Sequence, residues 1–288
     1  MRRFFYAINN DNADAMPLSK LGDLPLGSDV ELPDSIVHHW CRVLRANIGD
    51  QGILFDGLGG EYQVALQTIS KKKATATLLT HLNDDRTAPV ISKIGLVMSR
   101  GERMDYAIQK ATELGVTAIQ LLSSHHGEVN LKPAQVDKKL AHWQQVAIAA
   151  CEQCGLNRPP LILAPLSINE WLNQPESDAL NTKTIVSPIV SILSQDTYYK
   201  VLHSTADLRM QMSVPAAGQP AKPEKLASVL KQESPYIELL IGPEGGLSDD
   251  ECQKAESVGF MPWQIGSRVL RTETAPVVAL TTLLALYG

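Results

Sequence analysis

The sequence predicts an α/β protein in two parts, a small N-terminal β-barrel followed by a larger domain built on a mostly parallel sheet. Three observations carry this. Residues 1–83 hold short, strand-like apolar runs joined by turns. Residues 84–89 are polar and charged and read as a linker. Residues 90–288 alternate strand-like and helix-like runs.

In the first part, residues 3–8 and 29–32 read as strands around a polar loop, 9–27, rich in Asn, Asp, Gly and Pro. A helix begins at Asp34, capped by Asp34 or Ser35, with Ile36, Trp40, Val43 and Leu44 on one face. His38, Arg42 and Arg45 share the other face as a cationic ridge, which suits a phosphate grip and a solvated surface equally well. Strands at 51–56, 62–70 and 73–82 follow, joined by Asp56-Gly57-Leu58-Gly59-Gly60 and by a turn at Lys71-Lys72. One short helix among several strands is the pattern of a small barrel.

In the second part, a strand at 94–98, a helix at 104–114 and a strand at 116–122 form a βαβ unit. Met104, Ala107, Ile108, Ala111 and Leu114 give that helix its apolar stripe, and Gly115 ends it. A long helix at 134–154 stops at Gly155, before a strand at 161–164, a helix at 167–172 opened by a Ser167/Glu170 capping box, and a strand at 184–186. Residues 194–235, with Pro, Ser, Gln and Gly, break the rhythm and read as an insertion.

Two glycine-bearing loops then follow strands. Residues 236–241 form an apolar run that feeds Gly242-Pro243-Glu244-Gly245-Gly246, after which Ser248 and Glu251 form a capping box. Residues 260–265 feed Gly266-Ser267-Arg268-Val269-Leu270-Arg271-Thr272-Glu273-Thr274-Ala275, and a helix at 276–287 opens with Pro276 in its first turn. Ligands of open α/β sheets sit at the carboxyl ends of strands, where both loops lie. Neither loop is a phosphate-binding P-loop, and no G-x-G-x-x-G opens a helix, so nucleotide hydrolysis and dinucleotide binding lack their signatures.

Composition narrows the function. A net charge of -5 excludes binding nucleic acid by bulk charge and confines any RNA site to a local patch. The apolar run at the start ends at Asn9, too short for an export signal, and the last helix is too short to span a bilayer. Four cysteines in no disulfide-like framework fit a reducing cytoplasm. Cys151 and Cys154 form a lone C-x-x-C inside a helical run, with no second pair and no nearby histidine pair, so no metal site is expected.

His39-Trp40-Cys41-Arg42-Val43-Leu44-Arg45, Ser99-Arg100-Gly101-Glu102-Arg103-Met104-Asp105, Ile108 to Gly115, Ala149 to Gly155, Ile241 to Gly246 and Gly266 to Ala275 occur in the order of one family. In these pieces the chain resembles the RsmE family, bacterial methyltransferases that modify N3 of one uridine in 16S ribosomal RNA and belong to the SPOUT superfamily. The resemblance implies a PUA-like RNA-binding barrel and a SPOUT α/β domain with a trefoil knot. It also implies a homodimer, a cytoplasmic location with no membrane partner, and the small ribosomal subunit as partner.

S-adenosylmethionine would lie against Leu240, Ile241, Gly242, Pro243, Glu244, Gly245, Gly246, Ile265, Gly266, Leu270, Arg271, Thr272 and Ala275. RNA would meet His39, Arg42, Arg45, Arg100, Arg103 and Lys110. His125-His126, Leu156 and Ser187 stand where the family pattern has other residues. Methylating a uridine N3 requires loss of its proton and stabilisation of the anion left behind. Arg271 is the first candidate donor and Arg103 the second, while Glu273 is either the base or a loop anchor at the helix start. A knotted methyltransferase acting on tRNA, and an assembly factor that binds RNA without turnover, are the alternatives.

Overall fold

The computed structural model describes residues 1–7, 20–71, 73–173, 196–213 and 224–287. The expected strand at 184–186, Ser187 and Lys72 lie outside the described residues. The chain forms two compact units; the first takes in Met1–Thr87 together with Ile148–Pro159, and the second includes Ala88–Ala147, Pro160–Val186 and Ser194–Gly288.

The first unit holds β1 (Arg2–Phe5), β2 (Asp29–Glu31), β3 (Gln51–Phe55), β4 (Glu61–Ile69) and β5 (Ala74–Leu82), in the order β1-β3-β4-β5-β2. Only the β1–β3 pair is parallel. Every strand sends side chains into one core, which includes Phe4, Val30, Leu54, Val64, Leu66, Ala76 and Leu78. Along β5, Ala74, Ala76 and Leu78 are buried while Thr75 and Thr77 are not, the two-residue alternation of a half-buried strand.

Helix α1 opens at Asp34–Ile36 and continues as Val37–Val43 with π-helical winding, seen in the Leu44 N–H bond to His39 O at 2.9 Å. The wider winding rotates Val43 out, leaving it 58% exposed, so it is not on the apolar face with Ile36 and Trp40 as a 3.6-residue period predicts. Val37 is buried in its place. Trp40 lies over β3, where a Cβ on Gly52 would come within 2.8 Å of its ring.

The last two turns of α3 (Pro133–Cys154) belong to this first unit. Its Glu152 accepts the Phe5 N–H at 3.0 Å. Burial raises the Glu152 carboxyl above its usual range, against the lowering effects of that bond, of His39 and of Arg3. A carboxyl raised by folding contributes stability that is complete below the unfolded-state value near 4.3 and is lost as pH rises through the folded value. Glu152→Gln keeps an oxygen acceptor for Phe5 and cannot ionise. Chemical denaturation across pH should therefore show the variant gaining on the parent from about pH 4 to pH 7.

The second unit is a six-stranded sheet, β11-β9-β10-β6-β7-β8, parallel throughout. Its strands are β6 (Ile91–Val97), β7 (Ala118–Ser123), β8 (Leu161–Ser167), β9 (Leu208–Met212), β10 (Tyr236–Ile241) and β11 (Phe260–Trp263). Helices α2 (Glu102–Glu113), α4 (Ile168–Asn173), α5 (Asp196–His203), α6 (Leu226–Val229), α7 (Asp249–Ser257) and α8 (Ala275–Tyr287) complete it. The central β6 and β10 are buried along their whole length, as both-sided cover of a parallel sheet requires.

Residues 194–235, read as an insertion, are described in part. Their described residues carry α5, α6 and, within the sheet between β10 and β11, strand β9. Arg209 obscures β9 in the sequence, yet its charge is met in register. Glu238 of β10 pairs with Arg209 on one side and Lys93 of β6 on the other, at 3.0 and 3.2 Å. Arg209 Nε lies off the line of a hydrogen bond, so its hold on the carboxylate is ionic. No helix among the described residues is long and apolar enough to cross a membrane.

Candidate active site

The two glycine loops converge at the carboxyl ends of β10 and β11, where the sequence places them. Thr272, 3% exposed, turns its hydroxyl to the Gly242 carbonyl at 3.4 Å and so links the loops. In the first loop the Gly246 N–H bonds to Pro243 O at 2.9 Å, closing a turn in which Gly246 has φ 75°, a conformation that side chains disfavour. Ser248 caps α7: its hydroxyl accepts the Glu251 N–H and Glu251 Oε2 accepts the Ser248 N–H, at 3.3 and 2.9 Å.

The other oxygen of Glu251 accepts the His125 N–H at 2.9 Å, and His126 Nδ1 lies 3.2 Å from Gly246 O. The histidines that depart from the family pattern thus brace the glycine turn from the end of β7. Nothing in their spacing announces this, because the partner lies 120 residues away.

Between the loops lies a cavity of about 580 Å³. Of the predicted cofactor residues, Ile241, Gly242, Pro243, Gly245, Gly246, Ile265, Leu270, Thr272 and Ala275 line it. Leu240 does not; it is fully buried and packs in the apolar layer with Trp171 and Phe260. Gly266 is also absent from the lining, and Glu244 and Arg271 face a second cavity instead. Sequence reasoning missed one wall of the main cavity, formed by Gln211, Met212 and Ser213 at the end of β9 and by Asp249, Cys252 and Glu256 on α7. The three α7 residues stand at spacings of three and four, a helical face that the sequence does display once a cavity is known to lie beside it. Burial raises the Cys252 thiol, and Glu256, Asp249 and Glu251 raise it further, so that end of the cavity is electronegative. Gln211 is 4% exposed; its amide nitrogen meets Glu256 at 3.4 Å and its amide oxygen has no partner.

The second cavity, about 370 Å³, adjoins the first through Val269 and Leu270 and is also lined by Arg103, Glu244 and Arg271. Arg103 pairs with Glu244, and the Arg271 side chain is 78% exposed with Glu273 at 3.9 Å. Glu273 is 9% exposed, lines neither cavity and leaves Oε2 unpartnered. Arg100 pairs with Glu128 at 3.4 Å, and Lys110 is held by Glu113 at 2.8 Å. In the first unit His39, Arg42 and Arg45 are exposed, with Arg42 donating to Lys71 O and Arg45 at φ 55° where α1 ends.

Comparisons with known proteins agree with this arrangement. Residues 86–284 match the model of an RNA methyltransferase domain and residues 32–79 that of an RNA methyltransferase PUA domain. The chain is 30% identical over 266 residues to ribosomal RNA small subunit methyltransferase E of Buchnera aphidicola, covering 92% of this chain and 91% of that one. It is 28% identical to the Bacillus subtilis protein of the same name, over 86% of each chain. The structure resembles that of a ribosomal RNA small subunit methyltransferase E from Neisseria gonorrhoeae bound to S-adenosylmethionine, with TM-score 0.74, 31% identity and 100% and 98% of the two chains covered. A putative methyltransferase from Legionella pneumophila in complex with the same cofactor gives TM-score 0.73, 26% identity and 98% and 96% coverage.

Proposed function

Because the chain belongs to the RsmE family of S-adenosylmethionine-dependent ribosomal RNA methyltransferases, with a PUA-like domain and a SPOUT α/β domain, we propose that its acceptor is N3 of one uridine in 16S ribosomal RNA of the small subunit. The observation that carries this is the pair of adjoining cavities, one walled by glycine backbone and the other carrying two arginines.

The larger cavity fits the cofactor. Its volume is that of a site for a drug-sized ligand. Ile265, Leu270 and Ala275 offer an apolar wall to a purine, while Asp249 and Glu256 suit an ammonium group. The unpartnered Gln211 oxygen suits an amine. Bound there, S-adenosylmethionine supplies an electrophilic methyl group. The protein contributes alignment and charge. Thr272 and the His126 contact fix the glycine turn, so the reacting atoms can be held about 3 Å apart. Arg271 and Arg103 then stabilise the imide anion that remains when N3 gives up its proton to solvent. Glu273, buried at the start of α8 and outside both cavities, serves as the loop anchor in this reading.

RNA backbone would be held by the exposed His39, Arg42 and Arg45 of the first unit and by Arg100, Arg103 and Lys110 of the second, giving position without sequence. The target base must leave any stack, at a cost of a few kcal/mol. The same reading includes a cytoplasmic homodimer and a knotted C-terminal segment. Leu286 of α8, 50% exposed, is one apolar residue open to such a dimer contact. The packing of α8 on α2, although β11 lies at the far edge of the sheet, supports the knot.

Transfer of labelled methyl to small subunits, free 16S ribosomal RNA and tRNA, followed by nucleoside analysis, tests the acceptor. 3-Methyluridine is expected with the ribosomal substrates alone; label in tRNA alone would overturn the assignment. Gly245→Val tests the cavity. A Cβ at Gly245 meets only His126, at 3.5 Å, so the fold tolerates it while the branched methyls enter the slot. Calorimetry should show S-adenosylmethionine affinity lowered about tenfold or more with the melting temperature unchanged.

A further inference from the structure

The acceptor cavity contains one carboxylate, and that carboxylate is tied to one of the two arginines. Glu244 Oε1 contacts Arg103 Nη1 across 141 residues of chain, and both side chains line the cavity with Arg271. Glu244 stands on the glycine turn that walls the cofactor cavity, whereas Arg103 stands in the first turn of α2. A second carboxylate competes for the same guanidinium. Glu128 Oε2 lies 3.8 Å from Arg103 Nη2 and 3.4 Å from Arg100 Nε, and Glu128 does not line the cavity. The Arg103 side chain is 36% exposed, so its rotamers are set by whichever partner holds it.

We propose that Glu244 is a positioning residue that holds the Arg103 guanidinium at the acceptor cavity, so that two cations meet the target base. The proposal rests on the methyltransferase reading above and deepens it. When an imide loses its proton, the charge spreads over the two carbonyl oxygens that flank the nitrogen. Two guanidinium forks can serve both oxygens, whereas Arg271 alone serves them less well. Glu244 therefore acts through Arg103 and does not itself take the proton. Its place on the glycine turn also makes the methyl-donor wall and the acceptor clamp one mechanical piece, so that the turn which orients the donor also aims the arginine.

The test measures S-adenosylmethionine affinity by calorimetry and kcat on small subunits across pH, for the wild type, E244Q, R103A, the double variant and E128Q. E244Q is expected to keep cofactor affinity within about twofold and to lower kcat roughly tenfold to a hundredfold. The double variant should be no slower than R103A, because both changes remove one interaction. In both E244Q and R103A the rise of kcat with pH should move to higher pH, further in R103A, where the Glu244 carboxylate is left unpaired beside the imide; a residue that only stabilised the fold would leave the profile in place. E128Q, which removes the competing carboxylate, should not lower kcat. Additive losses in the double variant, an unmoved pH profile, or cofactor affinity falling in step with kcat would overturn the proposal. A wild type that binds cofactor yet methylates no RNA would instead strike the underlying methyltransferase reading, so the two failures are distinct. Melting curves confirm that each variant is folded, and R103K, which keeps the charge and loses the fork, should show a pH profile between those of the wild type and R103A.

Discussion

Glu238→Gln is expected to lower the unfolding free energy by about 3 kcal/mol, measured by urea denaturation of the full chain. Glu238 is 5% exposed and is the shared anion of a row that crosses three adjacent strands, Arg209, Glu238 and Lys93. Removing its charge leaves two cations facing each other in the sheet, beneath the rings of Phe260 and Trp171. The estimate sits at the low end for a broken buried pair because Arg209 keeps 26% of its side chain in solvent. Replacing all three together, with Lys93→Met, Glu238→Leu and Arg209→Met, should bring stability back near that of the parent, since a buried ion network contributes little net stability over apolar residues of similar volume. A Glu238→Gln protein as stable as the parent would show that water reaches the row.

Arg271→Ala should lower kcat about a hundredfold to a thousandfold. Cofactor affinity and stability should stay close to those of the parent, because the side chain is largely solvent-exposed and lines the smaller cavity only. Arg271→Lys should recover a fraction of the loss, as it keeps the charge without the two-pronged donor. Equal loss of kcat/KM through KM alone would mean that Arg271 binds RNA and takes no part in the chemistry.

Much of this was legible in the sequence, and the exceptions share physical causes. The run at 236–241 announced β10 because both faces of a central parallel strand must be apolar, and the Ser248/Glu251 capping box fixed the start of α7. Strand β9 escaped for the opposite reason. Arg209 and Gln211 alternate along one of its faces, where Glu238 and the Val258 carbonyl meet the first and Glu256 the amide nitrogen of the second, partners that no local pattern reveals. With β9 went the cavity wall at Gln211, Met212 and Ser213. The π-winding of α1 was invisible because periodicity assumes 3.6 residues per turn, and Val43 was misplaced accordingly. Leu240 and Ile241 were both assigned to the cofactor; Ile241 lines the cavity, whereas the Leu240 side chain packs in the apolar layer with Trp171 and Phe260.

The residues that line the larger cavity all lie beyond residue 210, whereas the smaller one borrows Arg103 from the other half of the domain. Arg103 is therefore the one residue of the smaller cavity drawn from outside the stretch that builds the larger one, and the remaining four come from the same two loops. The Glu244–Arg103 contact is where the two stretches are stapled together, and change at either of its residues is expected to be answered at the other.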